Sequence, residues 1–556
     1  MPSIFNNQNR LFILLAAALI LVLGLGRSVR AQEGGDADAE VDRQAYFDRV
    51  AADIESGPAG SQTPVVGTIP CENGFAGIYP CENVDLVAFM PLATIGGGSG
   101  NDIWGWTDPL DGKEYALMGR SSGTAFIDIS DPENPVYLGN LPTHNSNSSW
   151  RDIKVYNNFA YIVCDVQCSG HGMQVFDLTK LRNVLTPPVT FIEDAHFSGF
   201  SHAHNIVINE ATGYAYRVGG ETSQCSGGLY FIDLQSPLVP VSAGCFSSDG
   251  YTHDAQCVSY TGPDADYQGA EICFAYNEDT LTIVNVTNKN APALITKKGY
   301  AGFGYTHQGW ITADQNYLLL DDELDEANFG HKTRTRVWDI SNLDNPALIG
   351  FFDADFNSID HNQYVLGDYV YQSNYSSGLQ ILDLSNIAAG SLSRSAYFDT
   401  FPSNNFANFN GSWSNYPFFE SGVVIVSDIN SGMFILKPNL EPAPPAAFTR
   451  SAPTDGAVDV SLDPLLSWGT SAGAESYEYC IDATDDGDCT GWVDNGADTS
   501  VNLAGLIAGA TYFWQTRAVN PQGTTYANGS ETAYWTFTTV EVVLDMQIYL
   551  PVVIKE

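Results

Sequence analysis

Phe126-Ile-Asp-Ile129, Val175-Phe-Asp-Leu178, Phe231-Ile-Asp-Leu234, Ile283-Val-Asn-Val286, Val337-Trp-Asp-Ile340 and Ile381-Leu-Asp-Leu384 are six copies of one short phrase. A seventh, Phe434-Ile-Leu-Lys437, keeps the apolar part and loses the acid. Their third positions step along the chain by 49, 56, 52, 54, 44 and 53 residues. Most copies follow a glycine and precede Ser, Thr or Asn, often with Pro; Ser130-Asp-Pro-Glu-Asn-Pro135 and Ser341-Asn-Leu-Asp-Asn-Pro346 nearly match. Upstream in each unit stands a second β-rich stretch, such as Phe159-Ala-Tyr-Ile-Val163, Tyr214-Ala-Tyr-Arg-Val218 or Tyr369-Val-Tyr371. No long amphipathic helix pattern interrupts them. Repeats of this length, each holding several short strands, indicate a β-propeller with one four-stranded sheet per blade. The phrase reads as the strand that closes each blade, so seven phrases predict seven blades. Six or eight stay open, because propellers often share a strand between their two ends. A β-solenoid would need shorter, more uniform units, and an immunoglobulin-like array would repeat at nearly twice the length.

The rest of the chain frames this core. Its 556 residues exceed what one core usually supports. Arg10 precedes an apolar run from Leu11 to Leu25, and Val29-Arg30-Ala31 supplies small residues at a cleavage site, so residues 1–31 read as a secretory signal peptide. Residues 32–70 read as a flexible acidic segment, with a short helix around Val41 to Ile54. The propeller is expected over 71–438, a Pro-rich linker over 439–446, a second all-β domain over 447–540 and an apolar tail over 541–556. That tail is too short to span a bilayer. The fold class expected is therefore all-β.

The formal net charge is −42 with a pI near 4.2. Phosphate backbones need a basic surface, so nucleic acid is excluded as a partner. Ten cysteines pair naturally with sequence neighbours: Cys71 with Cys81, Cys164 with Cys168, Cys225 with Cys245, Cys257 with Cys273, and Cys480 with Cys489. Local pairs of this kind suit loop staples in an oxidising compartment, although connectivity does not follow from sequence. No CxxC pair supports a zinc site.

Leu465-Leu-Ser-Trp468, Ser476-Tyr-Glu-Tyr-Cys480, Thr511-Tyr-Phe-Trp-Gln-Thr-Arg-Ala-Val519 and Tyr534-Trp-Thr-Phe-Thr538 alternate as sandwich strands do. This part resembles a fibronectin type III domain. The phrases above, together with Cys71-Glu-Asn-Gly-Phe-Ala-Gly-Ile-Tyr-Pro-Cys81, Trp150-Arg-Asp-Ile-Lys-Val155, His204-Asn-Ile-Val-Ile-Asn209, Tyr251-Thr-His-Asp-Ala-Gln-Cys257 and Asp360-His-Asn-Gln-Tyr364, resemble LVIVD-repeat propellers. More narrowly, they resemble the choice-of-anchor B family of secreted bacterial proteins. The resemblance implies an exported propeller held at the cell surface. It implies no reaction, so no catalytic residues carry over.

Four of the nine histidines share one column: His204, His253, His307 and His361. Two periods before His204 and one after His361 extend it to Trp104, Arg151 and Trp413, with Asp152, Asn205, Asp254, Gln308 and Asn362 as polar neighbours. If these residues open the innermost strands, they converge at one mouth of the central channel and form a binding site there. Three roles compete for the histidines. Each can donate a ring nitrogen to the next blade's backbone. They can bind a ligand or a transition metal such as Mn, Zn, Fe or Ni, with His202 joining His204 on the same side. Or a metal or His/Asp pair can do acid–base work on an extracellular polymer. Asp321-Asp-Glu-Leu-Asp-Glu326 and Asp482-Ala-Thr-Asp-Asp-Gly-Asp488 offer oxygens to Ca²⁺, but neither has EF-hand spacing and solvated turns are the simpler reading. The function expected is binding of an extracellular protein or glycan at the cell surface. The alternative is a metal-dependent extracellular lyase or hydrolase with a His-rich site.

Overall fold

Each repeated phrase becomes the third strand of a four-stranded antiparallel unit, not the strand that closes it. The computed structural model describes residues 43–57, 60, 62–440, 444–484 and 491–541. The expected signal peptide, most of the acidic segment before Arg43, and the tail from residue 542 lie outside the described residues. Within them the protein is all-β, built from many small antiparallel sheets.

The phrase is apolar on both faces because its sheet is covered on both faces. Successive side chains of a strand point to opposite sides. Phe126 packs into the cluster shared with the second sheet, and Ile127 into the cluster shared with the seventh. Val337 and Trp338 divide likewise between the sixth and fourth sheets, and Ile381 and Leu382 between the seventh and fifth. Each fully buried side chain of this size stabilises the fold by about 1.5–3 kcal/mol.

The polar third position ends the strand. Asp128, Asp177, Asp233, Asn285, Asp339 and Asp383 each accept a hydrogen bond from the backbone N–H two residues on, at 2.6–3.0 Å. This Asx turn sends the chain toward the outer strand. The fourth position then tucks back into the core; Ile129, Leu178, Leu234, Val286 and Ile340 are fully buried. The seventh copy has no acid because it needs no such turn. Gly432–Pro438 takes its outer neighbour from the other end of the domain, pairing antiparallel with Val84–Pro91.

The strands that open the seven sheets are β1 (Gly100–Thr107), β2 (Trp150–Tyr156), β3 (Asn205–Asn209), β4 (Asp254–Ser259), β5 (Thr306–Ile311), β6 (Gln363–Leu366) and β7 (Ser412–Tyr416). Each touches the next, and β7 touches β1, so they form a closed cycle. The apolar clusters between neighbouring sheets close the same cycle. The arrangement is β-propeller-like.

A helix α1 (Arg43–Ser56) lies across one end of the cycle. Tyr46, Phe47, Val50 and Ile54 form its apolar stripe at helical spacing. They pack with Trp150, Tyr375, Phe409 and Trp413 from several sheets. The short helix expected around Val41 to Ile54 is thus present from Arg43 and docked against the sheets.

Four of the expected cysteine pairs are disulfides: Cys71–Cys81, Cys164–Cys168, Cys225–Cys245 and Cys257–Cys273. Cys480 is also disulfide-bonded, and Cys489 lies outside the described residues. Beyond residue 444 a three-stranded sheet (Arg450–Ala452, Leu465–Trp468, Ser500–Asn502) and a larger sheet centred on Thr511–Asn520 enclose a separate core around Trp514.

Candidate functional site

Side chains at the starts of the opening strands meet in the middle of the cycle. The rings of His204 and His253 are 4.3 Å apart, His253 and His307 4.5 Å, and His307 and His361 4.5 Å. Trp413 continues the arc at 5.2 Å from His361. Phe47 of α1 covers its other end, 6.0 Å from His204 and 5.4 Å from Trp150.

Every one of these histidines has its Nδ1 against an acceptor. His253 faces the His307 carbonyl at 3.1 Å, and His361 faces the Trp413 carbonyl at 2.5 Å, so two of the four tie one opening strand to the next. His204 faces Asp165 at 3.0 Å and His307 faces Asp321 at 2.8 Å. In His253, His307 and His361 Nδ1 therefore donates, and Nε2 is left as the bare nitrogen of the ring. Burial drives the affinity of His253 and His307 for a proton well below the ordinary range, with the neighbouring histidines adding to it. Burial likewise lowers His361 to about 3. Glu323 stands among them, accepting hydrogen bonds from Tyr46 and Tyr375 at 2.6 Å each, and burial raises its pKa to about 7.

Several expected residues fall elsewhere. Arg151 does not enter the arc. Its guanidinium donates to the Arg120 carbonyl at 2.9 Å and lies 3.3 Å from His171, and burial lowers its pKa to about 10. The cause is register. β1, β5 and β7 each slip by one residue near their start, whereas β2 pairs without interruption from Trp150 to Tyr156. A one-residue slip exchanges the faces of a strand, so in β2 it is Trp150 that packs against Trp413. Trp104 is three positions out of the column. Asp102 accepts from the Ile153 N–H and Asp152 from the Ile206 N–H, which makes Asn101 the true counterpart of Arg151 and His204. His202 also stands apart from the arc: it is half-buried and shares Asp165 with His204, at 2.8 Å. Burial, which alone would raise Asp165, is outweighed by these two histidines, which hold it well below the usual carboxylate range.

The acidic run at residues 321–326 is not a solvated turn. Asp321, Asp322, Glu323, Asp325 and Glu326 are all buried. Their oxygens hold neighbouring strands and loops in place. Asp322 accepts from the Tyr305 N–H at 2.6 Å and from the Tyr300 hydroxyl at 2.7 Å, and Glu326 accepts from the Arg334 N–H at 3.0 Å. The second acidic stretch lies outside the described residues from Asp485 to Asp488.

Away from α1 the cycle holds a cavity of about 480 Å³. The residues that immediately follow the histidines, Asn205, Asp254, Gln308 and Asn362, line it; the histidines do not. Two positions further along each strand, and so on the same face, comes a second column: Trp104, Lys154, Val207, Gln256, Trp310, Tyr364 and Tyr416. Its aromatic members pack edge to face. Trp104 lies 5.1 Å from Tyr416 and 5.7 Å from Tyr364, and Trp310 lies 5.0 Å from Tyr364. Phe418 joins Tyr416 at 5.2 Å. Lys154 bonds Asp152 at 2.6 Å and sits 4.5 Å from the Trp104 ring centre. Burial opposes its charge, but Asp102 and Asp152 hold the ammonium above its ordinary range. Burial, reinforced by Asp152, raises Asp254 to about 7. The alternation two residues past the polar neighbours was the signal in the sequence for this second column.

These features define a β-propeller-like protein with a plugged end and an open, aromatic-walled end. Residues 149–166 and 363–396 match the LVIVD repeat, so LVIVD repeats are present. No curated protein matches the chain. Similar solved structures include a protein from Lactobacillus plantarum (13% identity, 60% of this chain and 90% of that one, TM-score 0.39). Others are the periplasmic gluconolactonase PpgL of Pseudomonas aeruginosa (9%, 62% and 97%, 0.40) and PorZ, a surface component of the type-IX secretion system of Porphyromonas gingivalis (9%, 82% and 64%, 0.41).

Proposed function

We propose that this chain is an exported, cell-surface glycan-binding protein of the choice-of-anchor B type. Its core is a seven-bladed propeller over 71–438, followed by a fibronectin type III-like module over 447–540. The closed cycle of seven opening strands and seven inter-sheet clusters supports the blade number. The disulfides support export to an oxidising compartment.

The observation that carries the ligand class is the cavity. Its volume of about 480 Å³ lies in the range of small-ligand sites and suits a sugar residue or two rather than a folded partner. Trp104, Trp310 and Tyr416 offer flat apolar faces for pyranose rings. Asp254, Gln308, Asn205 and Asn362 supply acceptors and donors for hydroxyls. The carboxyl groups of Asp102, Asp152, Glu210 and Asp254 against the single Lys154 disfavour uronic acids and favour neutral or amine-bearing sugars. The lyase or hydrolase alternative loses its site at this mouth, since no histidine of the column lines the cavity.

Screening the purified chain against immobilised neutral, amino and acidic glycans, followed by calorimetry, tests this. Binding to a neutral or amino sugar, weakened at least tenfold by Trp310→Ala, is expected. Binding only to acidic glycans, or binding indifferent to both Trp104→Ala and Trp310→Ala, overturns it.

A further inference from the structure

On the plugged side of the cavity, ligand atoms of His253, His307 and Glu323 all lie within 4.8 Å of one another, and all three side chains are buried. Two further facts give this group a direction. His253 Nε2 is buried with no hydrogen-bond partner. The Nε2 atoms of His307 and His361 approach the two oxygens of Glu323 at 3.7 and 3.6 Å, too far for a hydrogen bond. Their Nδ1 atoms are already occupied by the Asp321 carboxylate and the Trp413 carbonyl. The inward side of the arc is thus made of the Nε2 atoms of His253, His307 and His361 and the carboxylate of Glu323, which the Tyr46 and Tyr375 hydroxyls already bond.

Lone pairs aimed at one another in a dry interior repel unless a cation stands between them. Neutral imidazoles whose far nitrogen is pinned by a carboxylate or carbonyl are how proteins orient histidine ligands and fix the tautomer that leaves Nε2 free. The borderline-soft nitrogen set excludes calcium and suits a divalent transition metal.

We propose that His253, His307 and Glu323, with His361 beside them, bind one divalent transition-metal ion on the axis of the cycle, sealed from solvent by α1. His202 and His204 are outside the ligand set: His202 lies apart from the arc, and the converging ligand atoms are those of His253, His307 and Glu323. The ion's place is separate from the cavity, so its occupancy is independent of whether the cavity takes a glycan.

The test uses the full chain produced in medium supplemented with Zn²⁺ or Co²⁺. Elemental analysis after desalting is expected to give about one ion per chain, and the Co²⁺ form to show ligand-field absorption. Glu323→Gln keeps shape and lowers retention at least tenfold; His253→Ala with His307→Ala abolishes it; His202→Ala leaves it unchanged. Circular dichroism and the melting profile of the apo-chain identify any variant that fails to fold, and Glu323→Gln then decides. Less than a tenth of an ion per chain with no Co²⁺ spectrum overturns the proposal. So does retention of calcium alone, or loss of the ion in His202→Ala with the fold intact.

Discussion

Replacing Tyr46 by Phe isolates the latch of α1 from the rest of the fold. The ring of Tyr46 is stacked on Tyr305 at 5.1 Å and meets Phe409 edge-on, and Phe keeps both contacts. Only the hydroxyl is lost, and with it the 2.6 Å bond to Glu323. A hydrogen bond to a charged acceptor contributes about 1.5–3 kcal/mol, and at pH 8, above the raised Glu323 value of about 7, the acceptor is charged. The helix is held on the end of the sheets by this bond, by the paired bonds of Arg43 to Glu278 at 2.7 and 2.8 Å, by Asp53 accepting from the Phe409 N–H at 3.3 Å, and by the buried faces of Tyr46 and Val50. No sheet includes it, so the loss falls on docking and not on the sheets. A change of about 2 kcal/mol multiplies the undocked population about 30-fold. Hydrogen–deuterium exchange resolved to residues 43–56 reads this directly, because local opening exposes those amides without global unfolding. The expected result is exchange about 30-fold faster in α1, with little change in the strands and in the main melting transition. Unchanged exchange in α1, or equal acceleration in α1 and in the strands β1 to β7, would refute the idea that the helix is a separable latch.

Three further outcomes are expected elsewhere in the molecule. Glu271 joins the third and fourth sheets, taking bonds from Asn209 at 2.9 Å, Thr212 at 2.8 Å and Lys289 at 2.6 Å; Glu271→Leu leaves the half-buried Lys289 ammonium with the Val286 carbonyl but no counter-charge and costs about 3 kcal/mol in denaturant titrations, and adding Lys289→Met recovers part of it. Burial raises Asp399 to about 7, so the folded state holds a proton that the unfolded state releases above about pH 4. Its contribution is therefore most favourable at low pH and declines as pH rises toward 7; Asp399→Asn should raise the melting temperature at pH 8, by roughly 2 kcal/mol of stability, and change it little at pH 4. Asp339→Ala removes the Asx turn to Ser341 at 2.9 Å and costs about 1 kcal/mol by chemical denaturation, whereas Leu436→Asp in the seventh copy buries a charge with no turn to serve and costs several times more.

What was legible in the sequence was whatever repeats. The apolar pair of each phrase, and the acid or amide that follows it in six of them, recur because every sheet is sandwiched and must turn outward after its third strand, and Phe126 and Asp128 state both requirements. The lone exception, Leu436, looked like decay; it marks the sheet completed by Val84–Pro91. The histidine column was legible for the same reason. Its flanks were not, because spacing does not reveal bulges. Arg151 was misplaced by a slip present in β1 and absent from β2, and Trp104 by counting periods through that slip. The burial of the acidic run was hidden for another reason. Charge normally signals solvent, and only the tertiary structure brings Tyr46 and Tyr375, more than 50 residues from Glu323 in each direction, to its carboxylate.

The pairing of Gly432–Pro438 has a mechanical side. That strand is held on one edge by Val424–Asp428 and on the other by Val84–Pro91. A chain tethered through its C-terminal end would pass tension into the domain at Pro438. Pulled along its own length, the strand must slide past two ladders at once. The first residues of the domain thus act as a clamp on its last. A load applied from the tether is shared between the two ends of the core before any other sheet feels it.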